Sequence, residues 1–174
     1  MAKPLKTALI YDFDGTLARG NMQEVTFIPS IGMGIGDFWG AADRLTREAD
    51  GDNILMYMQL MLKQARENNA PITRKLLAEH GEDVKLFDGL KSDLTGTGWF
   101  ERINAMGKRY GLDIEHYIIS AGQKEILEGV SIRKHFKQIY ASEYHFNQYG
   151  IATFPKLLIT DTSKTQFLFR INKG

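Results

Sequence analysis

A short apolar run that ends in two acids constrains this chain more than any other feature. Residues 7–11 read TALIY, a run typical of a buried strand, and Asp12 stands where that strand should end. Ligands bind at this end of the strands in open α/β sheets. Asp12 and Asp14 lie on the same side of an extended chain, and Gly15 lets the backbone turn away after them. The pattern predicts a two-carboxylate site at the end of a sheet.

The closeness of the two acids has a chemical consequence. Carboxylates this near to each other repel unless a cation or different protonation states separate them. A bound Mg²⁺ would provide the cation, and a division of roles between a nucleophile and an acid would provide the different protonation states. An acidic turn without any catalytic role is the alternative interpretation.

Composition limits the partners and the chemistry. The 174 residues suit one domain or a small core with an insertion, and 22 Lys and Arg against 21 Asp and Glu give a net charge of +1. Since no overall field would attract nucleic acid or a membrane, we expect neither partner and a small charged substrate instead. There is no cysteine, no zinc-type histidine spacing and no signal-peptide-like start. We therefore expect a cytoplasmic protein.

Helical periodicity replaces the strand-like runs between residues 19 and 85. The chain thus divides into a core, residues 1–18 and 86–174, and a helical insertion, residues 19–85. Three glycines within residues 30–37 favour a hinge or substrate-facing loop over a phosphate cradle, because no strand precedes them.

Three helices are expected inside the insertion. The first covers residues 37–49 and is capped by Asp37, and the second covers residues 53–68 and is capped by Asp52. Pro71 opens the third, which ends at a His-Gly pair.

Further apolar runs predict the rest of the core. Strands are expected over residues 115–120, 138–141 and 157–160, with a hairpin turn at 147–150 and a helix over 166–171. A preceding helix ends at Gly111 and should pack on the sheet through a stripe of apolar residues. The members of that stripe are Trp99, Ile103, Met106 and Tyr110.

Three parts of the chain resemble signatures of one enzyme superfamily. The run DFDGTL at residues 12–17 is similar to the first signature, DxDGT[LV], of the haloacid dehalogenase (HAD) superfamily, and especially of its phosphatases. The strand that ends at Ser120 resembles the second signature, and Lys164 stands where the third has its lysine. The insertion resembles the C1-type cap of the phosphoserine-phosphatase-like branch. The resemblance implies an α/β, Rossmann-like core with a parallel sheet and an inserted helical cap.

The resemblance also implies roles for the charged residues. Asp12 would be the nucleophile that forms an aspartyl-phosphate, and Asp14 the general acid and base. Lys164 would bridge the nucleophile and the phosphoryl group; Lys156 fits less well because it precedes the strand-like run. The Asp12 carboxylate and the Asp14 backbone carbonyl would hold Mg²⁺.

Small and hydroxylic residues would bind the phosphoryl oxygens. The resemblance assigns this role to Thr16 and to Ser120, Ala121 and Gly122. The physical reason is that small residues let backbone amides approach the oxygens closely, while a hydroxyl donates one more hydrogen bond.

The implied function is Mg²⁺-dependent hydrolysis of a phosphomonoester. Asp14 disfavours a dehalogenase, since dehalogenases of the superfamily lack the second aspartate. Two alternatives stay open: a phosphomutase or another phosphotransferase of the superfamily, and a non-catalytic protein that uses the same scaffold to bind a partner.

One signature has no counterpart. In the superfamily a strand with paired acids follows the lysine-bearing helix, whereas no acid follows Lys164 in the ten residues to Gly174. We expect a shortened form of a longer protein, with a sheet that is incomplete at its C-terminal side. Weak Mg²⁺ binding, poor activity and self-association through the exposed edge of the first strand are the expected consequences.

Overall fold

The computed structural model describes residues 3–25 and 27–174. The described residues form four strands, seven helices and one 3₁₀ turn. In order they are β1 Leu5–Tyr11, α1 Phe27–Ser30, α2 Ile35–Ala49, α3 Asn53–Glu67, α4 Arg74–Glu82, α5 Trp99–Arg109, β2 Leu112–Gln123, α6 Lys124–Gly129, the 3₁₀ turn Arg133–His135, β3 Phe136–Phe146, β4 Ala152–Leu157 and α7 Lys164–Lys173.

The sheet has four strands in the order β1-β2-β3-β4. The first three are parallel and β4 runs antiparallel to β3, joined to it by the predicted hairpin. Tyr11 pairs with Ile118, so the acids after β1 and the last residues of β2 lie at the same end of the sheet. The predicted α/β fold with a mainly parallel sheet is confirmed.

β1 is an edge strand, as the missing fourth signature led us to expect, but the expectation that its residues are buried was wrong. Exposed and half-buried residues alternate along it, with Leu5 68% and Ile10 36% exposed. Among the described strands only β2 pairs with it. Its apolar run is therefore partly open to solvent, which a TALIY pattern does not reveal.

The helical segment leaves and rejoins the core at one place. Ala18 forms a bridge with Leu86, and the backbone N–H of Arg19 donates to the carbonyl oxygen of Lys85 over 2.8 Å. The segment that leaves the core and the segment that returns to it thus run side by side, close to the predicted boundaries at 18/19 and 85/86. The division into two domains stays a prediction. None of the described helices combines the length and the apolar character that a membrane span requires.

The capping residues of two helices decide where those helices begin. Asp52 caps α3 as predicted, since its side chain accepts from the Leu55 N–H over 2.9 Å. α4 begins after Thr73, whose hydroxyl accepts from the Leu76 N–H over 3.1 Å, and the prediction that Pro71 opens it was wrong. A side chain with a free acceptor, not the proline, fixes that helix start.

The cap predicted for α2 was also wrong. The helix begins at Ile35 after Gly34, so Asp37 lies inside the first turn rather than before it. There its negative charge still favours the helix through the positive N-terminal dipole.

The apolar stripe predicted for α5 was wrong by one helical position. Trp99, Met106 and Tyr110 are exposed, whereas Phe100 and Gly107 are buried against the sheet. Gly107 permits the close approach, because a Cβ there would lie 2.5 Å from the Ile114 side chain. The helix packs through a small residue that hydrophobic periodicity does not detect.

The strand predicted over residues 157–160 was wrong as well. β4 ends at Leu157, and residues 158–160 form a connection whose buried Ile159 donates its N–H to the Ser142 hydroxyl over 3.0 Å. The helix that follows confirms the prediction for residues 166–171 and begins two residues earlier, at Lys164.

A continuous apolar core joins the helical segment to the sheet. Met58 and Met61 of α3 are fully buried in it. The Tyr144 hydroxyl of β3 donates to the Met58 carbonyl oxygen over 2.9 Å. α3 is therefore fixed to the sheet by packing and by a buried hydrogen bond.

Candidate active site

The end of β1 and the start of α7 bring two predicted site residues into contact. The Lys164 Nζ lies 2.8 Å from the Asp12 Oδ2, and the other Asp12 oxygen accepts from the Phe13 N–H over 2.8 Å. Asp161 also reaches the ammonium, with its Oδ1 3.3 Å away. Burial alone would lower the pKa of Lys164, but the two carboxylates outweigh it and raise that pKa. The ammonium is therefore charged at any physiological pH.

The position of Lys164 is fixed by the turn before α7. The Thr160 N–H donates to the Ser163 hydroxyl over 2.8 Å, and the Lys164 N–H donates to the Thr160 carbonyl oxygen over 3.1 Å. These bonds close the loop and set where the helix begins. The side chain at the first helical position then reaches the end of β1.

Asp14 lies two residues further on and in a different environment. Its Oδ1 accepts from the Met22 N–H over 2.9 Å. Burial raises the pKa of Asp14 to about 7, with a smaller contribution from the Asp12 charge, although the Met22 hydrogen bond opposes the shift. The side chain of Asp12, by contrast, is 43% exposed. The two acids therefore have different electrostatic environments despite their closeness.

A cavity of about 200 Å³ opens beside Asp14, and we call it the Asp14 pocket. It lies between the end of β2 and helices α2 and α3. Its walls are formed by Asp14, Asn21, Gln23, Trp39, Ala42, Asp43, Thr46, Asn53, Ile54, Tyr57, Ala121 and Gly122. The small volume admits a small organic group beside the Asp14 carboxylate.

The residues expected to bind phosphate are only partly brought together. Ala121 and Gly122 line the Asp14 pocket, and Asp14 Oδ2 lies 3.1 Å from where a Cβ of Gly122 would stand. Ser120 is 1% exposed, and its hydroxyl accepts from the Gly122 N–H over 3.0 Å. Thr16 is exposed in the turn after Asp14. The phosphate-binding roles of Thr16, Ser120, Ala121 and Gly122 all stay predictions.

Sequence reasoning missed most walls of the Asp14 pocket. Trp39 and Asp43 come from α2. Tyr57 comes from α3, and Gln23 comes from the segment before α1. Helical periodicity assigns such residues to packing or to solvent and carries no signal for a cavity. Only the placement of the insertion after the first strand pointed to this region.

The oxygen atoms at the end of β1 are suited to Mg²⁺. The Asp12 carboxylate is exposed, and the Asp14 carbonyl oxygen accepts no hydrogen bond from the described residues. Mg²⁺ in proteins commonly uses one or two such ligands and completes its shell with water and substrate phosphate. Residues 3–25 and 27–174 hold no cluster of three or more His, Cys, Asp or Glu that would bind a metal by itself. These oxygen atoms are ligands of the type that Mg²⁺ prefers, but the described residues supply few of them.

Sequence comparisons find a relative of this chain but no family model. No family model matches the chain. An uncharacterized protein of Borreliella burgdorferi is 27% identical over 191 residues, covering 96% of this chain and 65% of that protein. The chain therefore spans less than two thirds of that relative's length.

Several solved structures share the fold of this chain. A HAD family hydrolase from Salmonella enterica superposes with a TM-score of 0.66 at 16% identity, over 98% of this chain and 52% of that one. A phosphoserine phosphohydrolase-like protein from Francisella tularensis has a TM-score of 0.55 at 20% identity, covering 97% of this chain and 73% of its own. A probable phosphoserine phosphatase from Vibrio cholerae has a TM-score of 0.60 at 11% identity, with 98% and 48% covered. The chain thus has the fold of HAD-family hydrolases and phosphoserine phosphatases.

Proposed function

We propose that this chain carries the catalytic site of a Mg²⁺-dependent phosphomonoester hydrolase that acts through an aspartyl-phosphate. The observation that supports it most is the 2.8 Å contact between Lys164 and Asp12. A protonated lysine beside an exposed carboxylate, at the end of a parallel sheet, suits a nucleophile that must approach an anionic phosphoryl group. The fold shared with phosphatases agrees with this reaction.

The reaction divides into two displacements at phosphorus. An Asp12 oxygen attacks the phosphorus atom, and the bond from phosphorus to the alcohol oxygen breaks as Asp14 gives that oxygen its proton. Asp14 then takes a proton from water, whose oxygen attacks the aspartyl-phosphate and releases inorganic phosphate and free Asp12. The pKa of Asp14, raised by burial to about 7, suits a group that both donates and accepts a proton.

Charge on the phosphoryl group has to be offset during both steps. Lys164 is positioned to interact with the phosphoryl oxygens, since its ammonium already contacts the nucleophile. Mg²⁺, held by the Asp12 carboxylate and the Asp14 carbonyl, would add positive charge at the same place. Because the protein offers few ligands there, we expect weak Mg²⁺ binding and slow turnover by this chain.

Release of phosphate from an aryl phosphate at millimolar Mg²⁺ tests the proposal. Asp12→Asn should abolish release, because an amide is a poor nucleophile. Asp113→Asn is the matched control: Asp113 is exposed at the opposite end of β2, and its replacement should leave the rate unchanged. Wild-type rates in Asp12→Asn would contradict the proposal.

The same assay separates the alternatives. Transfer of the phosphoryl group to a second alcohol in place of water would indicate a phosphotransferase or phosphomutase. A chain that binds no Mg²⁺ and hydrolyses no phosphomonoester would indicate a non-catalytic binding protein on this scaffold.

A further inference from the structure

Hydrogen-bond donors in the wall of the Asp14 pocket are already used within the protein. The Trp39 indole N–H donates to Glu24 over 2.8 Å. The Tyr57 hydroxyl donates to the Ala121 carbonyl oxygen over 3.1 Å. Of the lining side chains, Asn53 still has donors, and Asn21 a second amide N–H, that no described residue accepts. The wall offers few N–H or O–H groups to an anionic ligand.

Acceptors in the same wall are free. Gln23 is 2% exposed, and its amide nitrogen donates to the Gln123 Oε1 over 2.8 Å. Its own Oε1 is buried and accepts nothing from the described residues. Asp43 is exposed at the pocket, and no described residue pairs with its carboxylate. A buried acceptor without a donor is unfavourable, so a ligand that donates there gains affinity.

The pocket wall carries acidic side chains and no basic ones among the described residues. Its acids are Asp14, which gives its proton to the alcohol in the proposed reaction, and the exposed Asp43, and no Lys, Arg or His lines the described pocket. A carboxylate on the ligand would meet repulsion there and no cationic partner. An ammonium group would pair with Asp43 and face the rings of Trp39 and Tyr57, whose centroids are 5.6 Å apart.

We infer that the substrate is the phosphate ester of a small alcohol that carries an ammonium group and no carboxylate. This inference rests on the proposed function, with the phosphoryl group at Asp12 and Lys164 and the alcohol in the Asp14 pocket. The pocket volume of about 200 Å³ restricts the alcohol to a few heavy atoms.

Tryptophan fluorescence tests the inference by binding rather than turnover. The chain has two tryptophans, so Trp99→Phe leaves Trp39 as the single reporter in the pocket wall. Asp12→Asn in the same chain prevents consumption of the ester. Titration with phosphoethanolamine, phosphoglycolate, glycerol phosphate and inorganic phosphate, each with Mg²⁺, compares an ammonium, a carboxylate and a neutral alcohol on one phosphoryl group.

Phosphoethanolamine should bind about tenfold more tightly than either other ester. The gain is that expected for one partly exposed ion pair with Asp43 and one hydrogen bond to the Gln23 Oε1. Asp43→Lys should remove or reverse that preference. Glu48→Lys is the matched control, because it makes the same charge change on an exposed position of α2 outside the pocket and should leave the order unchanged. The ratio of kcat/KM values for the same esters with the wild-type chain gives a second measurement that needs no mutation.

Each outcome has a definite meaning. Equal binding of the three esters, or tighter binding of phosphoglycolate, would overturn the inference and leave the proposed function standing. No response to any ester or to inorganic phosphate, with no turnover of an aryl phosphate, would overturn the proposed function itself.

Discussion

Gly129 of α6 packs directly against the carbonyl oxygen of Ala78 in α4. A Cβ atom added to Gly129 would overlap with that oxygen. Gly81 of α4 meets the carbonyl oxygen of Ile126 in the same way. Two glycines thus bring the last helix of the insertion into backbone contact with the helix that follows the second strand. This contact holds one side of the helical segment firmly against the core.

Replacing either glycine by alanine should separate these helices. For Gly129→Ala we expect the free energy of unfolding to fall by about 2 kcal/mol or more, because backbone atoms cannot yield as a flexible side chain would. Urea denaturation measures the change. Gly40→Ala is the matched control: Gly40 lies in α2 with open space around it, and alanine there should stabilise by roughly 0.5–1 kcal/mol through helix propensity. A Gly129→Ala protein as stable as the wild type would refute the close helix contact.

Lys164 should matter for catalysis far more than for stability. In Lys164→Met the phosphoryl charge loses its partner, so we expect hydrolysis to fall by about 100-fold or more. The free energy of unfolding should change little, because the pair with Asp12 is partly exposed and Asp12 is left in contact with water. Lys173→Met, at the exposed end of the same helix, should leave hydrolysis unchanged. Comparable activity in the two variants would remove Lys164 from the mechanism.

A buried histidine should make the fold sensitive to acid. The Trp99 indole donates to the Tyr11 hydroxyl over 3.1 Å, and that hydroxyl lies 2.9 Å from the His116 Nδ1. The His116 Nε2 lies 3.1 Å from the Asn104 Oδ1, which can only accept. These contacts suit a neutral ring with its proton on Nε2, because the Tyr11 hydroxyl can then donate to Nδ1. Burial, and then the neighbouring His135, lower the pKa of His116.

The sign of the pH effect follows from that lowered pKa. The stability that neutral His116 provides is complete above its unfolded value of about 6.5, and it is lost as the pH falls through the lower folded value. His116→Gln should therefore lose less stability than the wild type between about pH 7.5 and about pH 5.5. Denaturation at the two pH values measures the difference, and His145→Gln, on the exposed hairpin strand, is the control. An equal loss in His116→Gln and the wild type would contradict the neutral assignment.

We propose that the open edge of β1 promotes self-association. Leu5 is 68% exposed at this edge, and an unpaired apolar strand invites pairing with a second copy. Sedimentation should show the mean mass rising with concentration, and Leu5→Lys should reduce that rise because a charge on an edge strand opposes pairing. Leu94→Lys changes an exposed leucine in a loop and serves as the control. A monomer at all concentrations would contradict this proposal.

The contact between Asp12 and Lys164 was predictable because both residues stand at junctions that have local signals. A β-rich run followed by acids marks the end of a strand, and Asp, Thr and Ser ahead of an apolar run mark the start of a helix. The resemblance to the HAD superfamily then joined the two positions. Likewise Asp52 caps α3 as expected, since that signal depends only on the residue and its neighbours.

Features that depend on distant partners were not predictable. α5 turns Phe100 and Gly107 to the sheet because β2 comes close to the glycine, whereas periodicity favoured Trp99 and Met106. The partial exposure of β1 depends on what covers the sheet, which its own sequence does not contain. The Asp14 pocket follows from how α2 and α3 meet the end of β2.

Trapping of the covalent intermediate tests the central claim most directly. The chain is mixed with an aryl phosphate and Mg²⁺, quenched, and reduced with borohydride, which converts an aspartyl-phosphate to homoserine. Mass spectrometry of the peptide that contains residues 12–14 then locates the change. The proposed function predicts homoserine at position 12 in the wild-type chain and an unchanged peptide in Asp12→Asn. Phosphate release with an unmodified Asp12, or modification at another residue, would contradict it.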